Sequence, residues 1–258
     1  MKTVALCRLV VLGLLLVSPA AGAEPVAVRY PEGQVYGVLR LVSSAGDALA
    51  DGELIQAVRG QRIESQLVFR FKDGSLHDER VTYSQHKVFS LTRYRLVQRG
   101  PSFPIAQEVE FERSSGQYRA RVQESGKKEE VADGRLELPS DVYNGMALVL
   151  LRNLRKGETV AGHLVVFTPK PRALKMDIAA EGEEGFVVGP ITRKAIRYLM
   201  TLEIGGLVGL IAPLVGKDPP DVRYWIVTDP VAAFVKFEGP FYLNGPLWRI
   251  ELAGPRWP

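Results

Sequence analysis

The chain has 258 residues, 46% of them hydrophobic and 24% charged, with 33 lysines and arginines against 29 aspartates and glutamates. That balance excludes a disordered polar chain, and a chain of this length can bury a full core without covalent staples. One cysteine and three histidines exclude a disulfide framework and a thiolate metal centre.

The chain opens MKTVALCRLVVLGLLLVSPAAGAEP, with Lys2 and Arg8 ahead of an apolar run over Leu9–Val17 and a small-x-small site at Ala21-Gly22-Ala23. This reads as a secretory signal peptide over residues 1–23, cleaved before Glu24. A lipoprotein would carry cysteine where Glu24 stands. Cys7 leaves with the signal. Taking Lys2 and Arg8 from the 33 basic residues, against the same 29 acidic ones, lowers the net charge from +4 to +2. No later run reaches the ~20 apolar residues of a membrane helix, so no transmembrane span is expected after cleavage. The expected location is the periplasm or the extracellular space. Residues 24–258 read as a single β-rich domain, with a subdivision near residue 139 left open.

Period-two alternation begins clearly at IESQLVFRF. Ile63, Leu67, Phe69 and Phe71 share one face with Ser65, while Glu64, Gln66, Arg70 and Lys72 share the other with Val68. Asp73-Gly74 supplies a hairpin turn. Strands are expected next at VTYSQ and HKVFSLTRYRLVQ, then, after a break over Gly100–Pro104, at QEVEFER, QYRARVQE and a segment ending at Leu138. The spacing of Tyr143, Met146, Ala147, Leu150, Leu151 and Leu154 predicts an amphipathic helix over about 140–154. Ser140 would cap it, Gly157 would end it, and its apolar stripe would lie on the concave face of a sheet. Further strands are expected at TVAGHLVVFT, RALKMDIAA, FVVG, KAIRYLMTLEI, VRYWIVT, AAFVKFEG and LWRIEL. The fold class is mainly β: a large curved antiparallel sheet or half-open barrel around one helix.

IGGLVGLIAPLVGKDPP, residues 204–220, interrupts this pattern. A connection between strands is normally polar, because its backbone stays hydrated. This one is apolar and glycine-rich. It reads either as a plug closing one end of the sheet or as a flap on which Leu207, Leu210, Ile211 and Leu214 meet an acyl chain. Gly216-Lys217 has the look of a phosphate-loop tail, but Ile211 stands where the first glycine belongs and Asp218 where Ser or Thr belongs.

Catalytic signatures are missing: neither H-E-x-x-H nor G-x-S-x-G occurs. His77-Asp78-Glu79 follows a turn and reads as a solvated loop, with a metal site shared with His86 as the sharper alternative. His163 shares a face with Ala161, Val165 and Phe167, as a half-buried histidine does. Glu181-Gly182-Glu183-Glu184-Gly185 reads as an acidic hairpin end without the residue order of a calcium loop. Glu108, Glu110 and Glu112 face Arg119 and Arg121 as cross-strand ion pairs. Arginines 93, 95, 99, 193 and 197 with Lys194 read as an ordinary charged face, with phosphate contacts as the alternative. A net charge of +2, export and the lack of a binding motif exclude nucleic acid. All three tryptophans, Trp225, Trp248 and Trp257, lie in the C-terminal third beside Tyr224, Phe237 and Phe241. They read as the thickest part of the core or as a pocket wall.

The segments ETVAGHLVVFTPKPRALKMDI, AIRYLMTLEIGG, PPDVRYWIVTDPVAAFVKFEG and LWRIEL carry a resemblance. Their pattern, a helix before strands that end in W-[IL]-x…D…V-x-F-E-G…I-x-L, resembles a group of exported bacterial β-rich proteins of unknown function. These are distantly similar to periplasmic lipoprotein-carrier half-barrels. The resemblance implies a concave antiparallel sheet with a helix in its mouth, and it brings no catalytic residue. The expected function is that of an exported, non-enzymatic binding protein for a lipid or other apolar ligand. The candidate contact residues are Leu207, Leu210, Ile211, Leu214, Tyr224, Trp225, Phe237 and Trp248. The alternative is an envelope protein that binds a protein partner and no ligand; a hydrolase-type enzyme ranks third. No cofactor and no metal is expected.

Overall fold

The computed structural model describes residues 25–168, 170–188, 191–203, 221–228, 231–242 and 244–253. The signal-peptide reading and the residues 204–220, including Leu207, Leu210, Ile211 and Leu214, lie outside them, as does Trp257.

Eight strands form an antiparallel meander: β1 (Val35–Ser43), β2 (Ala48–Arg59), β3 (Arg62–Phe71), β4 (Leu76–His86), β5 (Val88–Arg99), β6 (Ile105–Glu112), β7 (Gln117–Glu124) and β8 (Glu130–Arg135). A short helix, α1 (Ala147–Arg152), follows. Then come β9 (Val160–Thr168), β10 (Lys170–Val188), β11 (Ile191–Glu203), β12 (Val222–Val227), β13 (Ala233–Gly239) and β14 (Trp248–Leu252). All belong to one fourteen-stranded sheet in which β14 returns to pair with β1, leaving β8 and β9 as the two edges. The sheet rolls until its far strands meet. Phe167 on β9 lies 6.3 Å, ring centroid to centroid, from Tyr118 on β7 and 6.5 Å from Phe111 on β6. It is a large antiparallel sheet that stops short of closing into a barrel.

The alternation of β3 builds the inner face as its sequence suggests. Ile63, Phe69 and Phe71 are buried in one continuous core with residues from both halves of the sheet. Burying each such side chain contributes about 1.5–3 kcal/mol. Strands β1 and β2 carry no clean alternation, and their sequence alone does not announce them. Apolar side chains occupy both of their faces: Leu39 and Leu41 are buried, while Tyr36, Val38 and Ile55 are exposed on the outside.

The helix is shorter than its spacing predicts. It begins at Ala147 rather than near 140, with Met146 at the cap position and no capping side chain. Residues 141–143 are held by β9 instead. Val142 bridges His163 in parallel, the His163 amide donates to the Asp141 carbonyl, and the Tyr143 amide donates to the His163 carbonyl. Gly162 permits this crossing, since a Cβ there would lie 2.7 Å from the Asp141 carbonyl oxygen. Tyr143 and Met146 are thus buried by a strand-like segment and a turn, and only Val149, Leu150 and Leu151 by a helix packed on β12 and β13.

Gly145 makes the turn between the two at φ +66°, where an added Cβ would meet Val81 Cγ2 at 2.3 Å. Gly145→Ala is expected to destabilise the fold by about 2–4 kcal/mol, combining left-handed strain with overpacking. A urea-denaturation midpoint unchanged from wild type would contradict this.

The acidic run Glu181–Gly185 is not a hairpin end. It lies inside β10, which continues through it with a register shift between Ala180 and Gly182. Each carboxylate has at least one cationic partner. Glu181 binds Arg197 Nε at 3.0 Å and Arg223 Nε at 2.8 Å, Glu183 binds Lys156, and Glu184 binds Arg197. These partners hold the Glu181 and Glu183 carboxyls below their ordinary range. For Glu108 and Glu110, the side-chain bonds run to Arg95 and Arg93 on β5, although Arg121 and Arg119 stand opposite them on β7.

Candidate functional site

Rolling the sheet encloses a cavity of about 1410 Å³. Its walls are mainly aliphatic and aromatic: Leu54, Leu67, Leu96 and Val109 from the first half, and Leu164, Met176, Met200 and Phe237 from the second. It runs toward the junction of β8 and β9, where residues 141–144 occupy the β9 edge at His163 and Val165. There its wall includes Val122, Leu164 and Phe167, and exposed Lys127, Lys128 and Glu130 stand at the rim.

One end is closed by aromatic rings. Phe241, from the connection between β13 and β14, lies 4.7 Å from the His77 ring and 5.2 Å from Trp248, and Phe103 lies 5.9 Å from Trp248. His77 belongs to this plug and is only 6% exposed. Its Nδ1 accepts from Gln98 Nε2 at 3.0 Å, and the same amide donates to the Phe241 carbonyl at 2.8 Å. Gln107 in turn donates to Gln98 Oε1. Burial holds the imidazole well below its ordinary value, at about 4, against the weaker upward pull of Asp78.

The opposite end is closed by residues 25–34 and α1. The Arg29 and Tyr30 amides donate to Asn153 Oδ1 at 2.9 and 2.8 Å. Glu32 reaches inward to Arg152 Nη1 and Gln56 Nε2, both at 3.0 Å, and Tyr83 Oη donates to Gln56 Oε1. Glu32 Oε1 has no hydrogen-bond partner.

Between the two ends, Glu79 projects from β4 into the cavity. Tyr94 Oη donates to its Oε1 at 2.8 Å. The carboxyl is surrounded by protein yet keeps some accessible area, because that area faces the cavity. Burial raises its pKa, and the Tyr94 bond opposes the rise in part. Burial also raises the hydroxyl of Tyr224 across the cavity, with a further push from the nearby Glu79.

The residues expected from sequence are divided among different places. Tyr224 and Phe237 line the cavity. Trp248 packs in the aromatic plug, in contact with Phe71, Phe103 and Phe241. Trp225, one residue from Tyr224, points to the opposite face of β12. There it joins Ala195, Val227 and Val235, stacks under Lys236 Nζ at 3.6 Å and donates Nε1 to Glu184. Trp225 therefore leaves the candidate site, by strand alternation alone.

His77-Asp78-Glu79 is strand and not solvated loop, with His77 and Glu79 inward and Asp78 outward, bound to Arg80 and Gln66. His86 ends the same strand, exposed and nine residues away, a distance of about 30 Å along an extended strand. The two histidines do not come together. His163 Nδ1 pairs with Asp141 at 2.8 Å. Among the described residues no group of three or more His, Cys, Asp or Glu is placed to hold a metal ion, and no helix is long and apolar enough to cross a membrane.

The chain is similar to the crystal structure of a β-barrel-like protein of a domain of unknown function, DUF1849, from Brucella abortus. The two share 8% sequence identity at a TM-score of 0.43, over 85% of this chain and 94% of that one. At that level the similarity says nothing of ligand or reaction. No protein-family model matches the chain, and no curated protein matches its sequence.

Proposed function

We propose that this protein is exported and binds a lipid or other apolar small molecule inside its rolled sheet. The observation that carries the reading is the 1410 Å³ cavity with its aliphatic wall. Ligand pockets commonly measure about 300–1,000 Å³, so this interior is sized for a long-chain molecule rather than a small metabolite. Among the described residues, polar groups are the minority of the lining and most are hydrogen-bonded to one another, an arrangement that suits orientation of a ligand. The lateral way in for such a ligand would be the stretch of the β8–β9 junction beyond Val165, near the rim residues Lys127, Lys128 and Glu130.

Two measurements test this. Protein purified from its own host should begin at Glu24 by intact mass and carry a co-bound small molecule in native mass spectra. In vitro, Leu67→Trp and Leu96→Trp place a bulkier side chain in the cavity and are expected to weaken a fluorescent acyl probe at least tenfold while the melting temperature holds. Apo spectra together with unchanged probe affinity in both variants would remove the proposal.

A second reading, an envelope protein that binds a partner chain, draws on the edge of β8. That strand is mostly exposed, and β7 is its one partner in the sheet.

A further inference from the structure

The polar groups of the cavity have a direction. Asn144, itself buried, shares both amide positions with the Val165 backbone on β9. Tyr94 Oη donates to Glu79 Oε1 at 2.8 Å. That bond ends on a carboxyl group, which has four lone-pair positions and receives one described bond. Gly145 leaves room for this carboxyl, since a Cβ there would stand 3.3 Å from Glu79 Cδ, and the side chain lines the cavity. The other buried carboxylate of the wall, Glu32, likewise ends with an oxygen that has no partner. The Glu32 oxygen is closed off by protein, so the accepting capacity that a ligand can reach lies at Glu79.

Resting on the apolar-ligand reading above, we propose that Glu79 is the polar anchor of the cavity. It receives an amphiphile that enters head-first and whose head group donates hydrogen bonds and carries no negative charge, an amine above all. An ammonium head would supply the counter-charge that a carboxylate lacks in an apolar interior, and a hydroxyl head would supply the donor alone. A carboxylate or phosphate head would bring a second negative charge to the same place. The hydrocarbon tail then lies against Leu96, Val109 and Val122, toward the junction of β8 and β9.

The test measures dodecylamine, dodecanol and dodecanoate by calorimetric titration at pH 7.5, below their critical micelle concentrations. Wild-type protein is expected to bind dodecylamine at least tenfold more tightly than dodecanoate, with dodecanol between them. Glu79→Gln keeps the shape and is expected to narrow the amine–carboxylate ratio to within about threefold. Binding of dodecanoate as tight as that of dodecylamine by the wild-type protein overturns the anchor while leaving the cavity reading intact. So does an unchanged ratio in Glu79→Gln. No binding of any of the three overturns both.

Discussion

Arg152→Ala is expected to destabilise the protein by about 3 kcal/mol, at the lower end of the ~3–5 kcal/mol seen when one partner of a buried ion pair is removed. The lower end applies because the Arg152 side chain keeps 28% of its exposure while Glu32 keeps 2%. Without the guanidinium, Glu32 retains a single bond from Gln56, and the Ala232 carbonyl loses the Arg152 Nε donor. The charge is then left inside the wall with one oxygen already unsatisfied. For a chain of this size the loss corresponds to a fall in melting temperature on the order of 10 °C.

A second substitution separates charge from packing. In Arg152→Ala/Glu32→Gln the stranded charge is gone, and at least half of the lost stability is expected to return, read as a coupling energy in a double-mutant cycle. A single variant that melts within 2 °C of wild type, or a double variant no better than the single, would refute the account. The consequence reaches beyond stability, because Arg29, Tyr30 and Glu32 belong to the segment that closes this end of the cavity. A weakened pair loosens the closure itself.

Local patterning carries the fold class but not the closure. The alternation of β3 and of β11–β13 states which residues go inward, and the antiparallel class follows from it. Nothing local in LWRIEL says that β14 pairs with β1, which turns a meander into a rolled sheet with its edges at β8 and β9. The helix is over-extended by a reading of spacing because Tyr143 and Met146 sit at helical intervals while a β-bridge and a positive-φ glycine decide their backbone.

The site escapes the sequence for a related reason. Alternation read as apolar-inside, polar-outside cannot find a polar residue that points inward, and Glu79 and His77 are such residues. The signal is present in β4 itself. His77, Glu79, Val81 and Tyr83 share one parity, and the last two belong inside. Trp225 is the converse case, an aromatic residue whose parity with Arg223 already places it on the outer face.

Mild acid is expected to weaken the protein through His77. In the unfolded chain this histidine has its ordinary pKa of 6.5, and in the folded protein burial lowers it to about 4. Above pH 6.5 neither state holds the proton and the fold is unaffected. Between 6.5 and about 4 the unfolded chain takes up a proton that the folded one refuses. Stability then falls by about 1.4 kcal/mol per pH unit, roughly 3 kcal/mol across the window, and levels off below it. Shifted carboxyls shape the same curve, Glu79 and Glu158 among them. Glu79, whose pKa is raised, acts in the opposite sense: its ionised form is a burden at neutral pH that protonation relieves. Glu158 is pulled down to about 2, first by its bond from Arg29, and contributes to the acid limb only as pH falls below its ordinary 4.5.

The His77 window is isolated by comparing urea unfolding of Glu79→Gln with Glu79→Gln/His77→Leu from pH 8 to 4.5. The first is expected to lose stability steeply below 6.5 and the second to lack that slope. Parallel curves would show that His77 carries no such burden. The structural reason for the slope is local. Nδ1 is already occupied as an acceptor from Gln98, the amide that also holds the Phe241 carbonyl. Protonating Nδ1 sets two donors against each other beneath the ring cluster that closes this end of the cavity. The plug is therefore the part of the wall that acid reaches first.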